Sequence, residues 1–168
     1  MRRIRALFKR APVEKARLNL NEVIGEVLRL LASETAKRQV AVEADLKQDL
    51  SLVSGDRIQL QQVLLNLLLN GIEAMDSVHD RSRKLTVRSR QESPETVLVE
   101  VRDNGVGLES PDKVFEAFVT TKQNGMGMGL AICRSIVEAH NGRLWAVPAE
   151  GPGATFCFAL PVRLSAES

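Results

Sequence analysis

Residues 56–75 read DRIQLQQVLLNLLLNGIEAM, and the fold turns on how they are read. Leu60, Leu64, Leu67, Leu68 and Met75 recur at helical spacing, so one side of a helix has to be buried against something large. Gln59, Gln62, Asn66, Asn70 and Glu73 fall on the other side. Asn66 and Asn70 stand four apart and project together, one turn above the other. Asparagine suits a merely wet helical surface poorly, because its amide competes for the backbone and lowers helix propensity relative to Glu, Lys or Gln. A use for those amides is expected.

Upstream of this helix, residues 19–38 carry Leu20, Val23, Ile24, Val27, Leu28 and Leu31 on one stripe, with Asn19 or Asn21 as the cap, which predicts a second, packing helix. Residues 40–46 alternate like a half-buried strand, and Leu52-Val53 reads as another short one before Gly55. Downstream, residues 84–90 and 97–102 alternate as two strands separated by the turn-forming Glu92-Ser93-Pro94-Glu95, a hairpin. From 103 to 129 the alternation vanishes and glycine becomes dense, which predicts a long functional loop. Residues 130–140 follow as a helix stopped at Asn141-Gly142, with Gly142 expected in the left-handed conformation. Strands at 144–147 and 154–160, joined by Gly151-Pro152-Gly153, close the chain. Helices and strands mixed around one antiparallel-rich sheet make an α+β arrangement.

The length of 168 residues with 44% hydrophobic content suits one domain with one core. Cys133 and Cys157 sit among apolar neighbours, and no Cys or His pair has the close spacing of a zinc site; both read as small buried hydrophobes in a reducing compartment. The net charge of +2 hides an asymmetry, since residues 1–17 carry +6 and the remainder about −4. A nucleic-acid-binding surface on the main body is therefore not expected. No apolar run reaches membrane-spanning length, and MRRIRALFKRAP lacks the apolar centre of a secretion signal, so the chain is expected to be soluble and cytoplasmic, without membrane contact. Residues 2–10 form a short basic amphipathic pattern ended by Pro12. Membrane attachment is one reading of it, and the end of a longer helix is the favoured one.

Two stretches of the loop carry chemistry. Asp103-Asn104-Gly105-Val106-Gly107 begins where an apolar strand ends, so the Asp103 carboxylate can face a cavity and accept from an exocyclic amine such as that of adenine, with Gly105 and Gly107 letting a flat ring approach. Asp-Asn-Gly is also ordinary turn chemistry. Gly125-Met126-Gly127-Met128-Gly129 leads into a helix, whose free N–H groups and dipole make an anion site. A flexible hinge is the alternative there. The loop is not a dinucleotide fingerprint, for no strand precedes it and its third glycine falls one place early, and it lacks the Gly-Lys-Ser/Thr of a phosphate-binding Walker loop.

Taken in order, these signals resemble the catalytic ATP-binding domain of bacterial sensor histidine kinases, which share their nucleotide fold with gyrase-type ATPases, heat-shock chaperones and mismatch-repair ATPases. NLLLNGIEA at 66–74 is similar to the family's N box, DNGVGL at 103–108 to its first glycine box, VFEAFVTTK at 114–122 to its phenylalanine box, and GMGMGLAICRSIVEAHNG at 125–142 to its second glycine box. The resemblance covers residues 18–162 and implies a Bergerat-type fold, a two-layer sandwich of a mixed, antiparallel-rich sheet with helices on one face. It leaves 1–17 as the end of a dimerisation helix with a linker, and 163–168 as a tail.

The resemblance further implies ATP and Mg²⁺ as cofactors. Asn70 would be the metal ligand with Asn66 supporting it, and Asn66, Asn70 and Lys122 would be the catalytic set. Asp103 would read adenine with Thr155 in the same network. Phe115 and Phe118 would anchor a lid whose Gly125, Gly127 and Gly129 fold over the phosphates, with Glu73, Gly105, Gly107, Thr121, Lys122 and Leu130 completing the nucleotide site. Gyrase-type relatives carry a water-activating Glu where this chain has Asn66, which favours a kinase over a hydrolase. Methionines at 126 and 128 depart from the commoner G-T-G-L-G-L form of the lid.

The family's phosphoacceptor is a histidine on a dimerisation helix, and neither His79, in the polar loop VHDRSRK, nor His140, at a helix end where a cation would suit the dipole, has that setting. The expectation is a catalytic domain separated from its sensor and acceptor. Its partners would be the dimerisation domain of the parent kinase and a downstream response regulator. An ATP-hydrolysing clamp, an anti-sigma-type serine kinase and a non-catalytic nucleotide-binding module are the alternatives.

Overall fold

The computed structural model describes residues 15–107, 127–148 and 151–162, with only the backbone of Gly127 and Met128. The expected basic helix at 2–10, the lid residues Phe115, Phe118, Thr121, Lys122 and Gly125, and the tail at 163–168 lie outside the described residues. The order is β1 (Ala16–Leu18), α1 (Leu20–Leu30), α2 (Ala32–Lys37), β2 (Val40–Leu46), β3 (Val53–Gly55), α3 (Arg57–Ala74), β4 (Arg83–Ser93), β5 (Thr96–Asp103), α4 (Gly127–Ala139), β6 (Arg143–Pro148) and β7 (Ala154–Pro161). Strands β2-β4-β5-β7-β6 form one sheet, in which β2 runs parallel to β4 and every other pair is antiparallel. This is the expected α+β sandwich.

The sheet's two faces follow from alternation. Leu85, Val87 and Ser89 of β4 and Val97, Val99, Val101 and Asp103 of β5 are buried under the helices, while Lys84, Thr86, Arg88, Glu100 and Arg102 point the other way. Cross-strand ion pairs clad the open face, with Lys84–Glu43 at 3.1 Å, Arg88–Asp45 at 3.4 Å and Arg90–Glu100 at 3.4 Å. Being exposed, each contributes little. On the covered face α3 is the central helix, its Leu60, Val63, Leu64, Leu67 and Leu68 fully buried, and α1 and α4 pack against it.

Caps hold the helix starts. Asn19 Oδ1 accepts from Asn21 N–H at 2.8 Å, and Asp56 Oδ1 accepts from Gln59 N–H at 3.1 Å, where the exposed donors of a first turn need a partner. Asn21 also reaches Lys47 O and accepts from the buried Ser89 hydroxyl, so α1 is tied to the end of β2 and the middle of β4.

The structure corrects four local expectations. The helix expected over 19–38 is two, interrupted at the buried Leu31, because the chain turns there to lay α2 against β2. Strand β2 is not half-buried along its length: only Val40 is buried and Leu46 partly covered, and β2 is an edge strand. At the end of α4 it is Asn141, with φ 64°, that turns left-handed. Gly142 serves close approach instead, for a Cβ there would stand 2.2 Å from Ala159 O. Finally, Ala16 and Arg17, placed in the linker by the sequence, are strand residues paired with Gly55 and Ser54. Among the described residues, no helix is long and apolar enough to cross a membrane.

Candidate functional site

Three elements converge at one end of α3. Its last turns carry Asn66, Asn70 and Glu73; strand β5 ends at Asp103; and α4 starts at Gly127. Packing makes the join. Gly71 lies beneath Asp103, where a Cβ would come within 2.9 Å of Leu85 Cδ1 and 3.5 Å of Asp103 Cβ. An interior glycine costs a helix about 1 kcal/mol relative to alanine, so something must need the space. The tight contact is with Leu85, and Asp103 lies just beyond at ordinary contact distance.

Asp103 is 2% exposed, and its Oδ1 accepts from Gly105 N–H at 2.8 Å. The turn that follows rests directly on α3: Val106 N–H donates to Ala74 O at 3.1 Å, and a Cβ on Gly105 would stand 2.3 Å from that same oxygen. Arg81 holds the turn from behind, donating from Nε to Asn104 O at 3.0 Å and from Nη2 to Gly105 O at 3.1 Å. Asn104 bonds Ser82 O and Lys84 N–H. The Asp-Asn-Gly segment is thus a turn and a pre-set carboxylate at once. Neither Arg81 nor Gly71 is picked out by the sequence reading; the interior glycine was the available signal for Gly71, and nothing in the polar loop marks Arg81.

Asn70 is 7% exposed, so the wet side expected for α3 is covered at this point. Helix α4 crosses α3 one turn before it. Cys133 of α4 lies against α3, its thiol donating to Val63 O at 3.8 Å. Asn66 hydrogen-bonds the same sulfur, and burial pushes that thiol up to about 11 despite this bond. Asn66 therefore faces α4, one turn before Asn70. Gly127 and Gly129, expected in the loop, belong to the first turn of α4; Gly129 is half-buried and Leu130 buried. No acidic side chain stands in that first turn. Gly107, at φ 88°, closes the described part of the loop.

Thr155 does not join Asp103. The register partner of Asp103 on β7 is Ala154, while Thr155 pairs with Arg102. Antiparallel partners share a face and neighbours alternate, so Thr155 stands on the open side of the sheet. There it lines a groove of about 540 Å³ with Thr86, Arg88 and Arg102, whose lining also takes in Asp103 and Asn104. His79 is exposed in its loop, and His140 is buried, with burial lowering its pKa.

Among the described residues no group of three His, Cys, Asp or Glu could hold a metal by itself. The donors near the end of α3 are the amide oxygens of Asn66 and Asn70 and the carboxylates of Glu73 and Asp103. These hard oxygens fit Mg²⁺, which takes one or two protein ligands and completes its shell with phosphate and water.

The family described as histidine kinase-, DNA gyrase B-, and HSP90-like ATPase matches residues 55–164. The sensor protein FixL of Bradyrhizobium diazoefficiens is 39% identical over 163 residues, covering 96% of this chain and 32% of that protein. The solved catalytic domain of the histidine kinase ThkA, in a nucleotide-free form, superposes with a TM-score of 0.78 at 32% identity, over 89% of this chain and 96% of that one. ThkA in complex with the response regulator protein TrrA matches with a TM-score of 0.79 at 30% identity, over 96% of this chain and 46% of that one. The chain spans about a third or less of the length of the curated relatives it matches. It belongs to the histidine kinase-, DNA gyrase B- and HSP90-like ATPase family, and within it to the catalytic domains of sensor histidine kinases.

Proposed function

We propose that this domain binds Mg·ATP at the end of α3 and transfers the γ-phosphate to a histidine on a dimerisation domain of its parent kinase, from which it passes to a response regulator. The observation that carries the reading is the junction of the buried Asp103, seated on Gly71, with the Asn66/Asn70 face of α3 and the glycine-bearing start of α4. Asp103 would accept from the adenine amine, with Gly105 N–H holding its other oxygen in place. The first-turn N–H groups of α4 would meet the phosphates. Asn70, with Asn66 and Glu73 beside it, would hold Mg²⁺, which when bound neutralises phosphate charge and helps orient the transferring group. Lys122, Thr121, Phe118 and Gly125 would complete the lid.

Kinase rather than hydrolase is supported by Asn66. Its amide bonds the Cys133 thiol and offers no base to a water molecule. A cytoplasmic location for the domain follows from the same reading. The test is incubation of the 168-residue protein with γ-labelled ATP, alone and with a cognate dimerisation domain. Acid-labile label on the added domain, with none on His79 or His140, is expected. Steady phosphate release by the isolated protein would instead place it with the ATP-hydrolysing clamps.

A further inference from the structure

His140 is buried at the end of α4, and neither the asparagine pair nor the glycine-rich loop uses it. Its two ring nitrogens are both engaged. Asp56 N–H donates to Nε2 at 3.0 Å, and Nδ1 lies 2.9 Å from Ile136 O, which can only accept. The ring is therefore neutral with its proton on Nδ1. Asp56 is the cap of α3, so one imidazole bolts the end of α4 to the start of α3. Gly55, next in the chain, is bare against it: a Cβ there would stand 3.3 Å from His140 Cδ2.

The second contact between these helices fixes their relative travel. Cys133 meets Val63, seven residues back along α4 and seven forward along α3 from the His140–Asp56 bond. Seven residues rise about 10 Å in either helix, so the two run antiparallel and in step. A further seven bring Asn70 level, to within a residue, with the start of α4.

We propose that His140 is a positioning residue: as the Nδ1–H imidazole it fastens α4 to the first turn of α3 and so sets the height at which the start of α4 faces Asn70. The consequence for Mg·ATP rests on the nucleotide reading above, whereas the latch itself does not. Protonation at Nε2 places a second donor opposite Asp56 N–H and breaks the bond. The charged groups that act on the ring, among the described residues, are Lys15 ahead of β1 and the Asp56 carboxylate at the cap of α3, of opposite sign; burial outweighs both and lowers the ring's pKa.

The test uses the 168-residue protein with labelled imidazole nitrogens, followed by NMR from about pH 5 to 8, and Mg·ATP titrations of the native protein, His140→Gln and His140→Ala. Nε2 is expected to be unprotonated at neutral pH, and the Asp56, Gly129 and Leu130 amide signals should move together as the ring titrates. His140→Gln offers Asp56 N–H an amide oxygen that does not titrate. It should keep Mg·ATP affinity within about threefold and lose the part of the native pH dependence that the nucleotide's own titration, common to both proteins, does not explain. His140→Ala should weaken Mg·ATP on the order of tenfold. Gly129 and Leu130 amides that ignore the ring's titration, or a His140→Gln protein with the native pH profile, would overturn the proposal; both readouts stand even if His140→Ala fails to fold. A native protein that binds no nucleotide at any pH would sink the kinase reading instead, leaving the latch to be judged by the amide signals.

Discussion

Replacing Asp103 by asparagine tests the base-recognition half of the site. The carboxylate is 2% exposed, with Oδ1 held by Gly105 N–H at 2.8 Å, and asparagine can keep that bond through its own Oδ1. What it loses is the charge and the second acceptor oxygen, whose place is taken by an NH₂ group that opposes the adenine amine donor to donor. A hydrogen bond to a charged group contributes about 1.5–3 kcal/mol, so affinity should fall on the order of ten- to a hundredfold. The loss should be equal for ATP and ADP, since the γ-phosphate takes no part. Calorimetric titration with both nucleotides measures it, and thermal unfolding without nucleotide serves as the control, where the change should stay within roughly 1 kcal/mol because the turn keeps its bond. Asp103→Ala, which strands the buried Gly105 N–H as well, should cost stability by about 1–3 kcal/mol. Unchanged affinity for both nucleotides in Asp103→Asn, or a loss confined to ATP, would refute the reasoning.

Asn70→Ala should narrow the difference in ATP affinity between Mg²⁺ and EDTA and lower phosphotransfer at least tenfold, while stability falls by only about 1 kcal/mol for a lost buried hydrogen bond, as read by thermal melts of the nucleotide-free protein. Leu67→Ala, at a fully buried position of α3, should destabilise by about 2–5 kcal/mol, seen as a lower urea midpoint at unchanged slope. Because burial lowers the pKa of folded His140, the unfolded chain binds the extra proton first. Its contribution to stability is thus present above the unfolded value of about 6.5 and is lost as pH falls below it; urea midpoints across that window should drop in the native protein and flatten in His140→Gln.

How far the site was legible differs from residue to residue. Asn66 and Asn70 could be paired from spacing alone because a helix repeats every 3.6 residues, and Asp103 could be placed at a strand end because alternation stops there. What surrounds them could not be found that way. Asn66 meets Cys133 of α4, more than sixty residues downstream, and Asn70 is buried, and no local pattern in 56–75 reports either. Thr155 shows the opposite failure: its strand was found, but which of two adjacent residues shares a face with Asp103 depends on register, and a shift of one reverses every side chain. His140 sat at a helix end where a charge would be favourable, and only the arrival of Asp56 N–H and the surrounding burial make it neutral.

By itself the sequence determined most of the elements, their order and the family, because periodicity, caps, turns and glycine boxes are written in residues close together along the chain. Tertiary structure alone decided which side chains share a space: Gly71 under Asp103, Arg81 behind the Asp-Asn-Gly turn, and His140 between two helix ends. Those contacts join positions from about 20 to more than 80 residues apart, and they depend on strand register and helix packing, which no short window of sequence encodes.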